Sequence, residues 1–236
     1  MLATVLRDGW RVLTFRAPSP AIRSHWPWYL GFGLLVTWLA GVGRYWDNPR
    51  AELWQYLGLG SLAYVLSLAV LLWILIYPLR PQRGSFRSVL IFITLCSPPA
   101  LLYAIPVERF MSLSAAQSAN AWFLAVVAGW RVALLAVFLR RGAGLSLAAT
   151  VVATLLPIVL IIVALSALNL EHVVFSLMSG IAPEQRSSAD LSYGIVVLLS
   201  ILATLAAPIL VIAYAVLVYL AYRRRRDAEF PDREIG

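Results

Sequence analysis

Two sets of residues in this sequence are of a type and spacing that could do chemistry. The first is a single arginine, Arg131, in the middle of the apolar run Ala119 to Leu139. An arginine at that depth costs roughly 2.5 to 3.5 kcal/mol on insertion scales, so it must face protein or water and find acceptors there. The second set is polar and falls at the ends of apolar runs: Glu108 and Arg109, Asn120, then Asn169, Glu171 and His172. If the ends of three hairpins converge, two carboxylates, an imidazole and a guanidinium meet, a group able to bind a divalent cation or carry out acid–base chemistry. The spacing is not that of a zinc protease, which sets two histidines four apart on one helix. Polar residues that only hydrate span ends give a plainer reading of the same pattern, and His172 near a helix C-terminus also has a simple electrostatic reason to be there.

Proline placement says what could hold Arg131. Pro98 and Pro99, Pro157 and Pro208 fall near the middle of three apolar runs. Each proline removes a donor and frees the carbonyl four residues earlier, so Thr94, Leu95, Ala153 and Thr204 should offer underused acceptors. Arg131 precedes Arg140 by nine residues, about 13 Å along a helix, which puts it at the depth of those kinks. Kink carbonyls and the hydroxyls of Thr94 or Ser97 are therefore its expected partners. Snorkelling toward the headgroups is the alternative.

The elements that must position these residues are apolar helices. Of 236 residues, 61% are hydrophobic and 13% charged, which excludes an ordinary soluble domain. The expected fold is all-α, a polytopic membrane protein of six spans: Trp26 to Tyr45, Leu53 to Tyr77, Val89 to Ile105, Ala119 to Leu139, Leu145 to Leu168 and Tyr193 to Tyr222. Each approaches or exceeds the roughly 20 residues needed to cross a hydrocarbon core. One integral membrane domain is expected over 1–236, with 1–25 an interfacial helix and linker, 26–222 the bundle and 223–236 a tail. In the first segment Leu2, Val5, Leu6, Val12 and Leu13 repeat at helical spacing, while Arg7, Asp8 and Arg11 should face away. Ala125, Gly129 and Ala133, opposite Ala149 and Ala153, suit a tight hairpin between the fourth and fifth spans. A short amphipathic helix on the outer surface is expected at Val173 to Met178.

Charge sorts by side. All 19 basic residues are arginine. With the N-terminus cytoplasmic, 14 of them fall in cytoplasmic segments and four opposite, the positive-inside pattern, and both termini are then cytoplasmic. A bacterial cytoplasmic membrane is the expected location. The net charge of +8 is thus topology, not a sign of nucleic acid. Arg223, Arg224, Arg225 and Arg226 should anchor on anionic headgroups, with a regulated lipid switch as the alternative. Cys96 is alone, so disulfides and thiolate metal sites are not expected. No phosphate loop, Walker lysine or nucleophile elbow occurs, and no cofactor or metal is expected.

Ser97-Pro98-Pro99 with Pro106 in one span, an aliphatic span around Trp130, a basic-glycine turn and Leu145-Ser146 opening the next span resemble the later spans of Yip1-type multi-pass membrane proteins, over roughly residues 90 to 168. The sixth span and arginine tail are additions to that family's five-span layout. The resemblance implies a role through protein partners and carries over no catalytic residue. The leading functional expectation is a non-enzymatic scaffold or accessory subunit of a membrane assembly, its partners the bilayer and another membrane protein or a second copy. The alternatives are a small enzyme acting through Glu108, Glu171 and His172, and a transporter or channel in which Arg131 attracts an anion.

Overall fold

The computed structural model describes residues 1–46, 51–79, 81–168 and 191–229, and these are helical, with no strand among them. In chain order the helices are α1 (Leu2–Leu13), α2 (Ala21–Ser24), α3 (Trp26–Tyr45), α4 (Leu53–Tyr56), α5 (Leu59–Ile76), α6 (Phe86–Leu95), α7 (Leu113–Val137), α8 (Leu147–Ala167) and α9 (Leu191–Glu229). Five segments are long and apolar enough to cross a bilayer: Leu59–Leu79, Phe86–Ala104, Ser118–Gly142, Leu147–Ala167 and Val197–Asp227. The chain is an integral, multi-pass membrane protein.

Local chemistry accounts for the helix starts. Ser85 caps α6 by accepting from the Ser88 amide, and the Ser88 hydroxyl answers on the Ser85 amide, a reciprocal capping box. Ser146 caps α8 through the Ala149 amide at 3.3 Å. Gly58, at φ 65°, makes the left-handed corner that separates α4 from α5.

The segment Phe86–Ala104 is the centre of the bundle: half of its apolar window is buried, against 6% for α9. Val65, Ala69, Leu72 and Ile76 of α5 pack on Val89, Phe92 and Ile93 of α6, and Leu134, Leu139, Ala149 and Ala153 close the cluster from the α7–α8 side. α3 lies beside the same segment and runs parallel to it, pairing Gly33 with Thr94, Thr37 with Ser97 and Gly43 with Ala104. The large apolar side chains on the outside of α9, such as Leu205, Ile209 and Ile212, are what lipid contact requires of a spanning helix.

Several expectations need correction. Pro98 and Pro99 end α6 at Leu95, and the span resumes as a 3₁₀ helix over Pro98–Ala104. Pro157 and Pro208, in contrast, sit inside uninterrupted helices. α9 does not stop at Tyr222 but carries Arg223 to Arg226 as further helical turns. On α7, Ala125, Gly129 and Ala133 are exposed, so the hairpin with α8 closes through other residues, although Ala149 and Ala153 are buried as the spacing suggests. The expected surface helix at Val173 to Met178 lies outside the described residues.

The largest departure is Asp8. It is completely buried. Its carboxylate accepts from the Ser19 amide at 3.0 Å, the Ser19 hydroxyl at 2.5 Å and the Tyr29 hydroxyl at 2.6 Å, with Arg11 3.7 Å away. α1 is therefore buckled onto the mouth of α3 through its polar face as well as through Val5, which packs with Tyr29, Ile91 and Leu95. The far end of α1 is tied to α7: Phe15 takes a left-handed conformation at φ 61°, the Trp130 indole donates to the Leu13 carbonyl at 3.0 Å, and Arg141 donates to the Phe15 carbonyl at 3.5 Å.

Candidate functional site

The break in the third apolar run builds the polar centre of the bundle. In an α-helix the Cys96 carbonyl would receive the Ala100 amide, but the 3₁₀ turn sends that amide to Ser97 at 2.9 Å. The alternative 3₁₀ donor, residue 99, is a proline and has no N–H. The Cys96 carbonyl is thus left open, and Arg131 fills it: its Nε donates to that oxygen at 3.2 Å. The Thr94 carbonyl, which Pro98 would free in a regular helix, is taken by the Ser97 amide at 3.1 Å.

The neighbouring hydroxyls are committed elsewhere. Thr94 donates to the Ile91 carbonyl at 2.9 Å, and the Ser97 and Thr37 hydroxyls share a hydrogen bond of 2.6 Å. Thr37 also reaches the Gly33 carbonyl at 2.8 Å. Thr37, Thr94 and Ser97 are all buried. They form a polar seam between α3 and the break, and Arg131 closes its α7 side. Sequence reasoning placed Arg131 at the kink but missed Thr37 and the particular acceptor.

The seam yields a test with two readouts of opposite sign. Replacing Arg131 by Leu removes a charge that opposes insertion, so insertion efficiency should rise. It also strands the Cys96 carbonyl, at a cost of about 1 to 3 kcal/mol, so the folded bundle should denature earlier in a detergent titration. An Arg131→Leu protein that resists denaturation like the parent would remove this role.

At the opposite end of α3 the structure gathers aromatic rings and arginines. Arg109 lies 4.8 Å over the Trp46 ring and Arg44 lies 5.3 Å over the Tyr103 ring, while the Trp46 indole donates to the Ala104 carbonyl at 3.1 Å. These are interfacial contacts of the kind that anchor a span end. Glu108 belongs to the short 3₁₀ turn Val107–Arg109, and its side chain is outside the described set. Asn169, Glu171 and His172 are likewise outside it. Among the described residues no group of three His, Cys, Asp or Glu side chains is placed to hold a metal.

Asp8 is the described carboxylate with the most developed environment. Burial alone would raise its pKa, but the hydrogen bonds from Ser19 and Tyr29 and the nearby Arg11 outweigh burial and hold it below the usual value of 3.8. The helical pattern could not show this, because Asp8 lies between Arg7 and Arg11 on what reads as a solvated face. A Ser-Pro turn eleven residues on was the available signal.

No family model, curated protein or solved structure matches this chain.

Proposed function

We propose that the protein is a non-enzymatic scaffold or accessory subunit of a membrane assembly, resident in a bacterial cytoplasmic membrane with six spans and both termini cytoplasmic. α3, at 20 residues, serves as the remaining span. The arginine distribution supports the orientation: Arg23, Arg87 and Arg141 lie at the α1 end of the bundle, whereas Arg44 and Arg109 meet aromatic rings at the other. The resemblance to Yip1-type proteins points the same way, toward work done through protein partners.

The observation that carries this reading is the outer face of α7. Ala125, Gly129 and Ala133 are exposed at four-residue spacing, and a Cβ built on Gly129 meets nothing within 4 Å. Such a shallow notch in a spanning helix lets another backbone approach closely, whereas lipid chains gain little from it. The partner this notch fits is another spanning helix, from a second copy or a different membrane protein. A Gly129→Leu protein should keep its own stability, because the site is open, yet associate about tenfold or more weakly. Counting copies and co-purified subunits in native-lipid discs reads the effect. Unchanged association in Gly129→Leu would overturn the reading.

The enzyme alternative would need Glu108, Glu171 and His172 within one pocket. The transporter alternative would need an aqueous route to Arg131, whose Nε is engaged by the Cys96 carbonyl. Neither has a described contact in its favour.

A further inference from the structure

A cavity of about 740 Å³ opens at the α1 end of the bundle, within the roughly 300 to 1,000 Å³ range of ligand pockets. Its walls come from four places in the sequence: the turn after α1, α2, the 83–88 segment leading into α6, and the end of α7. Five arginines line it, Arg16, Arg23, Arg83, Arg87 and Arg141, and among the described residues no carboxylate does. Asp8, the nearest buried carboxylate along the chain, is already committed to Ser19, Tyr29 and Arg11. Two of the arginines are braced, Arg87 at 5.1 Å over the Trp26 ring and Arg141 on the Phe15 carbonyl. Arg16, Arg23 and Arg83 are exposed.

Below this cationic mouth the lining changes character. Val12, Ile22, Val137 and Phe138 form a half-buried apolar wall, with the Phe138 ring, just past α7, stacked on Phe92 at 4.2 Å. The wall stands over a floor of the buried side chains Ile91, Leu95 and Leu134. Leu95, the last residue of α6, belongs to this floor, so the apolar part is closed off before the level of the break. Positive-inside sorting explains arginines on this side of the membrane but not their convergence on one cavity. Nor does it explain an apolar shaft beneath them. A soluble phosphate compound would satisfy the mouth and leave the shaft empty, whereas an amphiphile fills both.

We propose that this cavity binds one anionic phospholipid from the arginine-rich leaflet, its phosphate among the guanidinium groups and an acyl chain along Val12, Ile22, Val137 and Phe138. The site is separate from the notch on α7 and from the tail arginines.

The experiment uses the full chain in discs of phosphatidylcholine, in discs of equal parts phosphatidylcholine and phosphatidylglycerol, and in phosphatidylcholine discs with inorganic phosphate added. Native mass spectrometry and thermal melting are the readouts. The parent should retain phosphatidylglycerol on release from the disc and melt higher in its presence. Arg23→Gln with Arg83→Gln should weaken retention about tenfold or more, the loss expected when charge-assisted hydrogen bonds go. Arg224→Gln with Arg226→Gln removes the same charge from the tail, whose headgroup contact is diffuse, and should lower retention far less than the cavity pair. Val137→Trp should expel the chain with every charge in place.

Equal retention of both lipids by the parent would overturn the proposal, and so would equal losses in the cavity and tail pairs. Stabilisation by inorganic phosphate matching that by phosphatidylglycerol would reassign the mouth to a soluble phosphate compound. Should the variants fail to fold, the comparison of lipids and phosphate on the parent decides alone.

Discussion

An Asp8→Ala protein is expected to lose about 3 kcal/mol of stability and to release α1 from the bundle. The magnitude follows from the hydrogen bonds involved. Each bond to a charged acceptor contributes about 1.5 to 3 kcal/mol, and the Tyr29 hydroxyl and the Ser19 amide and hydroxyl would lose theirs together. Some of that loss is offset because the variant no longer buries a charge. Rapid proteolysis after Arg7 or Arg11, measured beside a detergent denaturation curve, separates local release from general unfolding. Tyr29→Phe removes one donor only and should give a smaller loss in the same direction. If Asp8→Ala leaves protection of the first turns unchanged, the buckle does not hold α1.

The same carboxylate sets a pH dependence. Its folded pKa lies below the unfolded value of 3.8. The folded state therefore binds its proton less readily, and the stabilisation is fully present above 3.8, then lost as the pH falls through the folded pKa. Protection of α1 should be level from neutrality down to that region and decline below it, a decline that Asp8→Asn abolishes.

The second large effect is expected at Gly33. A Cβ placed there would overlap the Thr94 side chain, lying 2.5 Å from its Cβ, and would come within 3.0 Å of the Thr94 backbone. Thr94 is fully buried and bonded to Ile91, so it has nowhere to move. Gly33→Ala should therefore cost about 1 to 3 kcal/mol, the usual range for overpacking, and Gly33→Leu should prevent α3 from seating at all. Combining Gly33→Ala with Thr94→Gly should recover part of the loss, because the Cβ and Oγ1 that block the methyl are both gone. A Gly33→Leu bundle that denatures like the parent would contradict the close approach of α3 to α6. Gly129→Leu, on a helix face with open space, makes the opposite control.

Much of this architecture was legible from hydropathy alone. The apolar runs became helices, because a bilayer demands internally bonded backbone and few sequences can disguise that. Gly58 and Pro98-Pro99 nevertheless break two of them, and α7 and α9 each extend well past an expected end. Arg131 was legible as a residue that must find an acceptor near the prolines. Its actual acceptor was not, because the switch to i→i+3 bonding after Cys96 moves the open carbonyl away from the positions that α-helical counting marks. Asp8 was misread for a related reason: a 100° wheel assigns faces within one helix and knows nothing of a hydroxyl arriving from α3. The arginines of the cavity were counted correctly as a side preference. Their convergence depends on α6 and α7 meeting beneath the turn after α1, which no linear pattern encodes.

The joining of α1 to its neighbours carries a consequence for biosynthesis. Its partners are the buried Tyr29, Ile91 and Leu95 and, through the Leu13 carbonyl, the exposed Trp130. α1 is synthesised before every helix that receives it: Tyr29 on α3 follows it closely, Ile91 and Leu95 on α6 come after α5, and Trp130 on α7 comes after α6. α1 therefore docks in two stages, with the Asp8 contacts to Ser19 and Tyr29 available once α3 is in place and the α6 and α7 contacts only when those later helices have entered the bilayer.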